Sequence, residues 1–350
     1  MLKSNKNIKV IDLFSGIGGL TYGFQSAGLN VVAGIDNDPT CAYGYEKSNN
    51  TRFILKDISD VTNDEITEMY GDAEIRVLAG CAPCQPYSRL NQKGATDQKM
   101  TPLRKFAALI RDTRPHVVSM ENVSGLTNTK KYPVFQDFLD VLEELGYHYD
   151  YKVINTADYG VPQSRKRLVL LASRLGPISV PQPTHAQHVT LRDIISDLPA
   201  IEAGETHPTD PLHYSRSLSE LNIKRIKATP KDGGTQKSWP KDLLLECHKK
   251  ESGKTFASVY GRMWWDKPGS TMTTQCIGIG NGRYGHPEQN RAISLREAAR
   301  IQTFPDNYTF VDPAKPLKVG MVAKFIGNAV PVRLGEVLGQ TIANHVNCRV

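Results

Sequence analysis

The chain has 350 residues, 39% of them hydrophobic and 23% charged, which excludes a disordered or fibrous protein and leaves room for two domains. Six cysteines, at 41, 81, 84, 247, 276 and 348, are too few and too scattered for a disulfide framework and point to a reducing compartment. The net charge of +7 is concentrated: residues 216–262 hold eleven Lys and Arg against five Asp and Glu, which reads either as a solvated basic face or as a surface for a polyanion such as nucleic acid.

Ile8 to Phe14 reads as a buried strand, and Lys9 and Asp12 interrupt it too soon for a signal peptide. No apolar run approaches the length of a membrane span, so no membrane partner is expected. Leu20, Phe24 and Ala27 then recur at helical spacing, and Gly28 stands where a helix stops. Val31–Ile35 and Val77–Ala79 read as further strands. A helix over 103–112 leads to a strand at 117–120, and a helix over 134–145 carries Phe135, Phe138, Leu139 and Leu142 on one face before Gly146. Leu168–Ala172 is one more strand. Strands alternating with helices predict an α/β fold with a mostly parallel sheet covered on both faces. Beyond Leu175 the texture changes: 176–213 is rich in Pro, His and Thr, and 214–290 is Gly-rich, basic and weakly patterned, which predicts a second, smaller domain. A helix over 331–346, with Leu334, Val337, Leu338, Ile342 and Val346 on one side, is expected to pack back onto the first domain.

Four motifs fall at predicted strand ends. Asp12-Leu13-Phe14-Ser15-Gly16-Ile17-Gly18-Gly19 opens the first helix, where glycines let backbone approach a ligand and the helix start offers free N–H groups. Thr21 stands where a G-x-G-x-x-G loop has its last glycine, which argues against a nicotinamide cofactor. Asp36, at the end of the second strand, is placed to take ribose hydroxyls. Cys81 and Cys84 form a C-x-x-C frame, readable as a redox dithiol, half a zinc site, or one working thiolate beside a bystander. Cys247-His248 is the only other Cys/His cluster and lies without a partner pair in the other domain, so no metal site is predicted. Glu121-Asn122-Val123 ends the fourth of these strands, where a carboxylate faces the crevice of an open sheet. Gln163-Ser164-Arg165-Lys166-Arg167 precedes the last strand and reads, taken alone, as a solvated basic turn.

In this order the motifs resemble those of the cytosine-C5 DNA methyltransferases of bacterial restriction–modification systems and eukaryotic maintenance enzymes, over nearly the whole chain. DLFSGIGG (12–19), Lys56-Asp57-Ile58, APCQPYS (82–88), ENV (121–123), QSRKR (163–167), RAISLREAARIQTFP (291–305) and GNAVP (327–331) each resemble a family block. The resemblance implies a Rossmann-like, S-adenosylmethionine-dependent catalytic domain at 1–175 plus 312–350 and a target-recognition domain at 176–311. It implies S-adenosylmethionine contacts from Asp12, Phe14, Ser15, Gly16, Gly18, Gly19, Asp36, Asn37, Asp57, Ile58, Leu103, Asn328 and Val330. It gives Cys84 as the nucleophile on carbon 6 of cytosine, Glu121 as the acid at ring N3 and Arg165 as the group on the base carbonyl, with Asn122 orienting the loop and Pro83 shaping it. Gln85, Ser88, Arg167, Arg262, Thr273 and Thr274 are implied contacts to double-stranded DNA, with Thr271 and Gln275 as further polar candidates. Residues 85–101 suit a closing loop, and 216–262 the grip on the duplex needed to swing a base out. Trp264 and Trp265 are expected to pack rather than stack on bases.

Where Cys81 and Ala82 stand the family usually has Pro or Gly, so the resemblance makes Cys81 dispensable. It further implies a monomer, cytoplasmic and acting at the bacterial nucleoid, with a cognate restriction endonuclease encoded nearby. Three rivals are less well supported. A transfer-RNA cytosine-C5 methyltransferase would carry a Cys-Phe-Thr signature, which is absent here. A catalytically silent DNA-binding partner subunit would lack the thiol or the glutamate. A nicotinamide oxidoreductase is disfavoured by Thr21 and by the absence of a second nucleotide loop.

Overall fold

The computed structural model describes residues 6–83, 97–249 and 258–349, and for 97–100 the backbone alone. Cys84, Gln85, Ser88 and most of the anticipated closing loop lie outside the described residues. The remainder of that loop, from Asp97, is already helix.

The chain divides into two compact units. One comprises Met1–Tyr159, Lys166–Thr184 and Ala329–Val350, the other Gly160–Arg165 and His185–Asn328. The expected boundaries at 175 and 312 are therefore moved. Residues 176–184 stay with the first unit because Val180 is buried there, its N–H donates to Asp150 (2.9 Å), and the Pro181 carbonyl accepts from Tyr159 (2.8 Å). Residues 312–328 go to the second unit, where the Ile326 and Gly327 carbonyls accept from Gln302 and Arg165.

In the first unit, β1 (Ile8–Leu13), α1 (Gly19–Ser26), β2 (Asn30–Asp36), α2 (Ala42–Asn49), β3 (Arg52–Leu55), α3 (Asn63–Tyr70), β4 (Ile75–Gly80), α4 (Asp97–Thr113), β5 (Val117–Val123), α5 (Val134–Glu144), β6 (His148–Asn155) and β7 (Lys166–Ser173) follow in order. The strands form one sheet in the order β3-β2-β1-β4-β5-β7-β6. All neighbouring pairs are parallel except those of β7, which runs antiparallel to both β5 and β6. Strand order reverses between β1 and β4, and open α/β sheets bind ligands at such a switch point, beyond the strands' carboxyl ends. The strands at the centre are buried almost throughout, as a sheet covered on both faces requires.

The second unit carries α6 (Leu191–Ile195), a two-stranded ribbon of β8 (Thr206–His207) and β9 (Asp210–Tyr214), α7 (Glu220–Ala228), α8 (Leu295–Ile301) and α9 (Val319–Asn328). The chain then returns to the first unit as α10 (Val332–Arg349), whose Leu334, Val337, Leu338, Ile342 and Val346 are buried as the periodicity predicts. Glycines let α10 approach α1 closely. A Cβ on Gly23 would collide with the backbone of Val332 and Glu336, and one on Gly335 would lie 3.1 Å from the Leu20 carbonyl. No helix among the described residues is long and apolar enough to cross a membrane.

Candidate active site

The carboxyl ends of the parallel strands share one edge of the sheet. Because β7 is antiparallel, its first residues reach the same edge, with Arg167 opposite Val123. Leaving β1, the chain turns through Phe14 (φ 58°), Gly16 (φ 49°) and Gly18 (φ 93°). A left-handed Phe is strained by about 1 kcal/mol or more, and such strain persists only where surrounding bonds enforce it. Here the Ser15 N–H donates to the Ile35 carbonyl (3.1 Å), the Gly18 N–H to Ser15 (2.9 Å), and the Gly16 N–H to Asp36 Oδ2 (2.8 Å). Asp36 Oδ1 takes the Asp38 N–H (2.9 Å), yet burial outweighs both amides and raises the Asp36 carboxyl above its ordinary range. Asn37 donates to Asp57 Oδ2 (3.0 Å), and the Ser59 amide, then Asn37, hold Asp57 below the usual carboxylate range. Ile58 and Leu103 belong to one buried apolar cluster, against which Phe14 packs.

These residues suit a nucleoside ligand for a reason independent of any motif. Ser15 Oγ is buried and has no hydrogen-bond partner among the described residues, and the space where Gly16 would carry a Cβ is empty. A polar ligand seated there would satisfy the hydroxyl and lie against bare backbone. Asp12 proves to be a support rather than a ligand contact. It is 1% exposed, and its Oδ2 accepts from the Thr21 hydroxyl (2.7 Å), which in turn bonds Tyr45 (3.0 Å). Burial, only partly offset by Thr21, pushes Asp12 up to about 7. Thr21 thus occupies the missing glycine's place in order to hold the loop's base. At Gly18 a Cβ would collide with Asn49 and Tyr45 in a left-handed backbone. Gly18→Ala is expected to destabilise the protein by about 1–3 kcal/mol. Denaturant unfolding checks this, and an unchanged midpoint would mean that the loop has slack the packing does not show.

Beyond β4 and β5 lies the second half of the site. Glu121 is 3% exposed, flanked by Arg167 from β7, whose Nε lies 2.8 Å from Oε1, and by the Cys81 thiol after β4, which donates to Oε2 (2.8 Å). The Arg167 contact is an ion pair too bent to count as a hydrogen bond, so Oε1 keeps its acceptor capacity. Arg167, expected to contact DNA, is therefore turned inward onto the carboxylate. Buried Asn122 donates through Nδ2 to the Ala82 carbonyl (3.2 Å) and accepts the Val123 N–H (2.8 Å), so it ties the segment leading to Cys84 onto β5. Pro83 is exposed at the start of that segment.

Within the second unit, Arg165 is 5% exposed and donates through Nη1 to the carbonyls of Met272 (3.3 Å) and Gly327 (3.4 Å). Gln163 accepts the Met272 N–H (2.9 Å) and donates to Gln302 (2.6 Å). This buried amide relay was not anticipated, because glutamines 139 positions apart give no periodic signal. Thr273 shares a hydrogen bond with Tyr284 (3.1 Å), Thr271 donates to the Ser164 carbonyl (2.9 Å), Thr274 is half-buried and Gln275 exposed. Arg262 overturns its expected role on DNA. It is 1% exposed and donates to the carbonyls of Thr229, Ile226, His286 and Gln289 and to the Asn290 side chain. It is the hub of this unit's fold. The Trp264 ring is covered by Arg283 (4.1 Å) and Lys267 (4.6 Å), and Trp265 lies against His286 (5.3 Å). Asn328 is exposed at the end of α9, whereas Val330 is buried in the first unit.

Comparison with known proteins matches residues 8–344 to the model of the C-5 cytosine-specific DNA methylases. A protein of Herpetosiphon aurantiacus named Type II methylase M.HgiDII is 49% identical over 335 residues, covering 95% of this chain and 94% of that one. Type II methyltransferase M.MthTI of Methanothermobacter thermautotrophicus is 30% identical, covering 96% and 97%. Among solved structures, an E. coli prophage protein described as a DNA modification methyltransferase superposes with a TM-score of 0.76, covering 97% of this chain and 99% of its own. At 21% identity that likeness speaks for the fold alone.

Proposed function

This chain belongs to the C-5 cytosine-specific DNA methylase family and is a DNA methyltransferase, and from that premise we propose that it methylates carbon 5 of a cytosine flipped out of a specific duplex sequence, through a transient bond between Cys84 and carbon 6. The observation that carries the reading is Glu121: a buried carboxylate at the switch-side end of β5, gripped from both neighbouring strands and followed by the asparagine that holds the segment leading to Cys84.

Carbon 5 of cytosine is a poor nucleophile. Addition of the Cys84 thiolate to carbon 6 moves an electron pair toward N3 and leaves an enamine whose carbon 5 attacks an electrophilic methyl group. Glu121 holds N3 as that charge arrives, and Arg165 takes the base carbonyl. After transfer, a base removes the C5 proton, the C6–S bond breaks and the thiolate is restored; no side chain stands out for this step, and water fits it. S-adenosylmethionine supplies the methyl group. Phe14, Ser15, Gly16, Gly18 and Gly19 would seat it, with Asp36 at the ribose, Asn37, Asp57 and Ile58 at the adenine, and Leu103, Asn328 and Val330 added by family resemblance.

A duplex hides carbon 5 in its stack, so the nucleotide must swing out at a cost of a few kcal/mol. The basic stretch 216–262 supplies phosphate contacts, though not through Arg262, and Thr274 and Gln275 are left as base-reading candidates around the engaged Thr273. We assign double-stranded DNA as substrate, action as a monomer in the cytoplasm at the nucleoid, and a partner endonuclease, in keeping with the Type II names of the relatives. Bisulfite sequencing of DNA from cells making the protein tests the reading. Protected cytosines confined to one recurring sequence are expected, and complete conversion everywhere would overturn it.

A further inference from the structure

We propose that Cys81 is a positioning residue for Glu121, a role that rests on the reading of Glu121 as the group at N3. Cys81 directly follows β4 and its own N–H donates to the Leu13 carbonyl (3.4 Å), so its backbone is anchored to β1 as well as continuing β4. In the β4–β5 register Gly80 stands opposite Met120, which brings the next residues, Cys81 and Glu121, side by side. The thiol donates to Oε2 (2.8 Å) while Arg167 Nε sits 2.8 Å from Oε1. The carboxylate is therefore clamped from both flanking strands, one oxygen on each side. A buried carboxylate free to rotate about its side-chain torsions would present either oxygen, or neither, to an incoming base; two clamps remove that freedom before the substrate arrives, and such preorganisation is where enzymes gain rate. A glycine, proline or alanine at 81 provides no donor, so this side of the clamp belongs to the cysteine itself. The thiol is a weak donor, which sets the size of the effect: a fraction of the rate, not all of it. The expectation drawn from the sequence, that Cys81 is dispensable, is revised to this extent.

Single-turnover methyl transfer to a duplex oligonucleotide gives the test. Cys81→Ala is expected to lower the maximal rate about 3- to 10-fold, the loss of roughly one hydrogen bond, while the apparent affinities for DNA and S-adenosylmethionine stay within about twofold. Cys81→Ser, which keeps a donor, should recover most of the rate. In a Glu121→Gln background, or Glu121→Asp where the Gln variant falls below detection, Cys81→Ala should add no further loss, because the proposed route to the reaction runs through that carboxylate. Undiminished rates in Cys81→Ala, or an equal further drop in the Glu121 background, would overturn the positioning role. Full activity of Glu121→Gln would instead remove the reading beneath it, so the two failures are told apart.

Discussion

Cys84→Ser is expected to lose methyl transfer by on the order of 10⁴-fold or more while the protein still folds and binds duplex DNA, because removing the nucleophile of a covalent mechanism leaves only binding and electrostatics. Serine keeps the shape and a hydroxyl, but at neutral pH it is almost wholly protonated, whereas a thiol with its lower pKa supplies the anion that adds to the ring. The decisive measurement uses an oligonucleotide with 5-fluorocytosine at the target position and the methyl donor present. Fluorine cannot leave as the proton does, so the adduct persists; the native protein should be recovered cross-linked at Cys84, and the Ser variant free. A native protein that methylates DNA yet never cross-links would discard the covalent step and keep the family. Circular dichroism and DNA binding of the variant must match the native protein, since otherwise a lost fold would mimic a lost nucleophile.

The largest effect on stability is expected in the second unit, at Arg291 and Glu297. Arg291 is 0% exposed, and its guanidinium grips Glu297 with two bonds (2.7 and 2.8 Å); Glu297 also accepts the Ser294 N–H (2.7 Å) as the reciprocal half of the α8 capping box. Removing one partner strands a charge in a dry interior, and Glu297→Gln or Arg291→Met is expected to destabilise the protein by about 3–5 kcal/mol. The double variant Arg291→Met with Glu297→Leu should regain part of that, short of all of it, because the capping bond remains lost. If the singles unfold no more readily than the double, the charge-stranding account fails. The pair also sets an acid limit. Burial alone would raise Glu297, but Arg291's charge and bonds, with His286 and the Ser294 amide, bring it down to about 2. A carboxyl depressed by folding stabilises above its unfolded value near 4.5, and that stability drains away as pH falls toward about 2. Burial holds neighbouring His286 down to about 4, against 6.5 when unfolded, so the unfolded chain takes its proton first and stability starts falling below pH 6.5. Urea unfolding across this range should show both losses in the native protein, and only the histidine's in Glu297→Gln.

The first unit was legible because buried parallel strands write themselves as continuous apolar runs: β1, β2, β4 and β5 all lie where such runs occur, and α5 and α10 where apolar residues repeat at helical spacing. Two strands left no such trace. β3 has four residues, and β6 is an edge strand with only Ile154 buried among its eight residues, so neither had an apolar run to show. Strand-end motifs located Glu121, Asn122 and Asp36, since the carboxyl edge of an open sheet is fixed by topology. What could not be read was the direction a charged side chain takes. Arg262 and Arg167 stand in polar, basic segments that read as surface, yet one is buried among backbone carbonyls and the other against a carboxylate. An arginine's five donors serve a phosphate and a set of carbonyls equally well, and only the fold decides between them.

The six residues Gly160–Arg165 have a practical meaning for anyone exchanging the second unit among members of this family. They sit in the chain between two pieces of the sheet unit, yet they fold with the other one: Gln163 and Arg165 hold Met272, and Ser164 bonds both Gly269 and Thr271. A chimaera spliced only at 176 and 311 would import most of a foreign second unit without the hexapeptide that braces it. Cutting instead at 160, 165, 185 and 328 moves the brace with its load, and the transplant arrives with its own foundation.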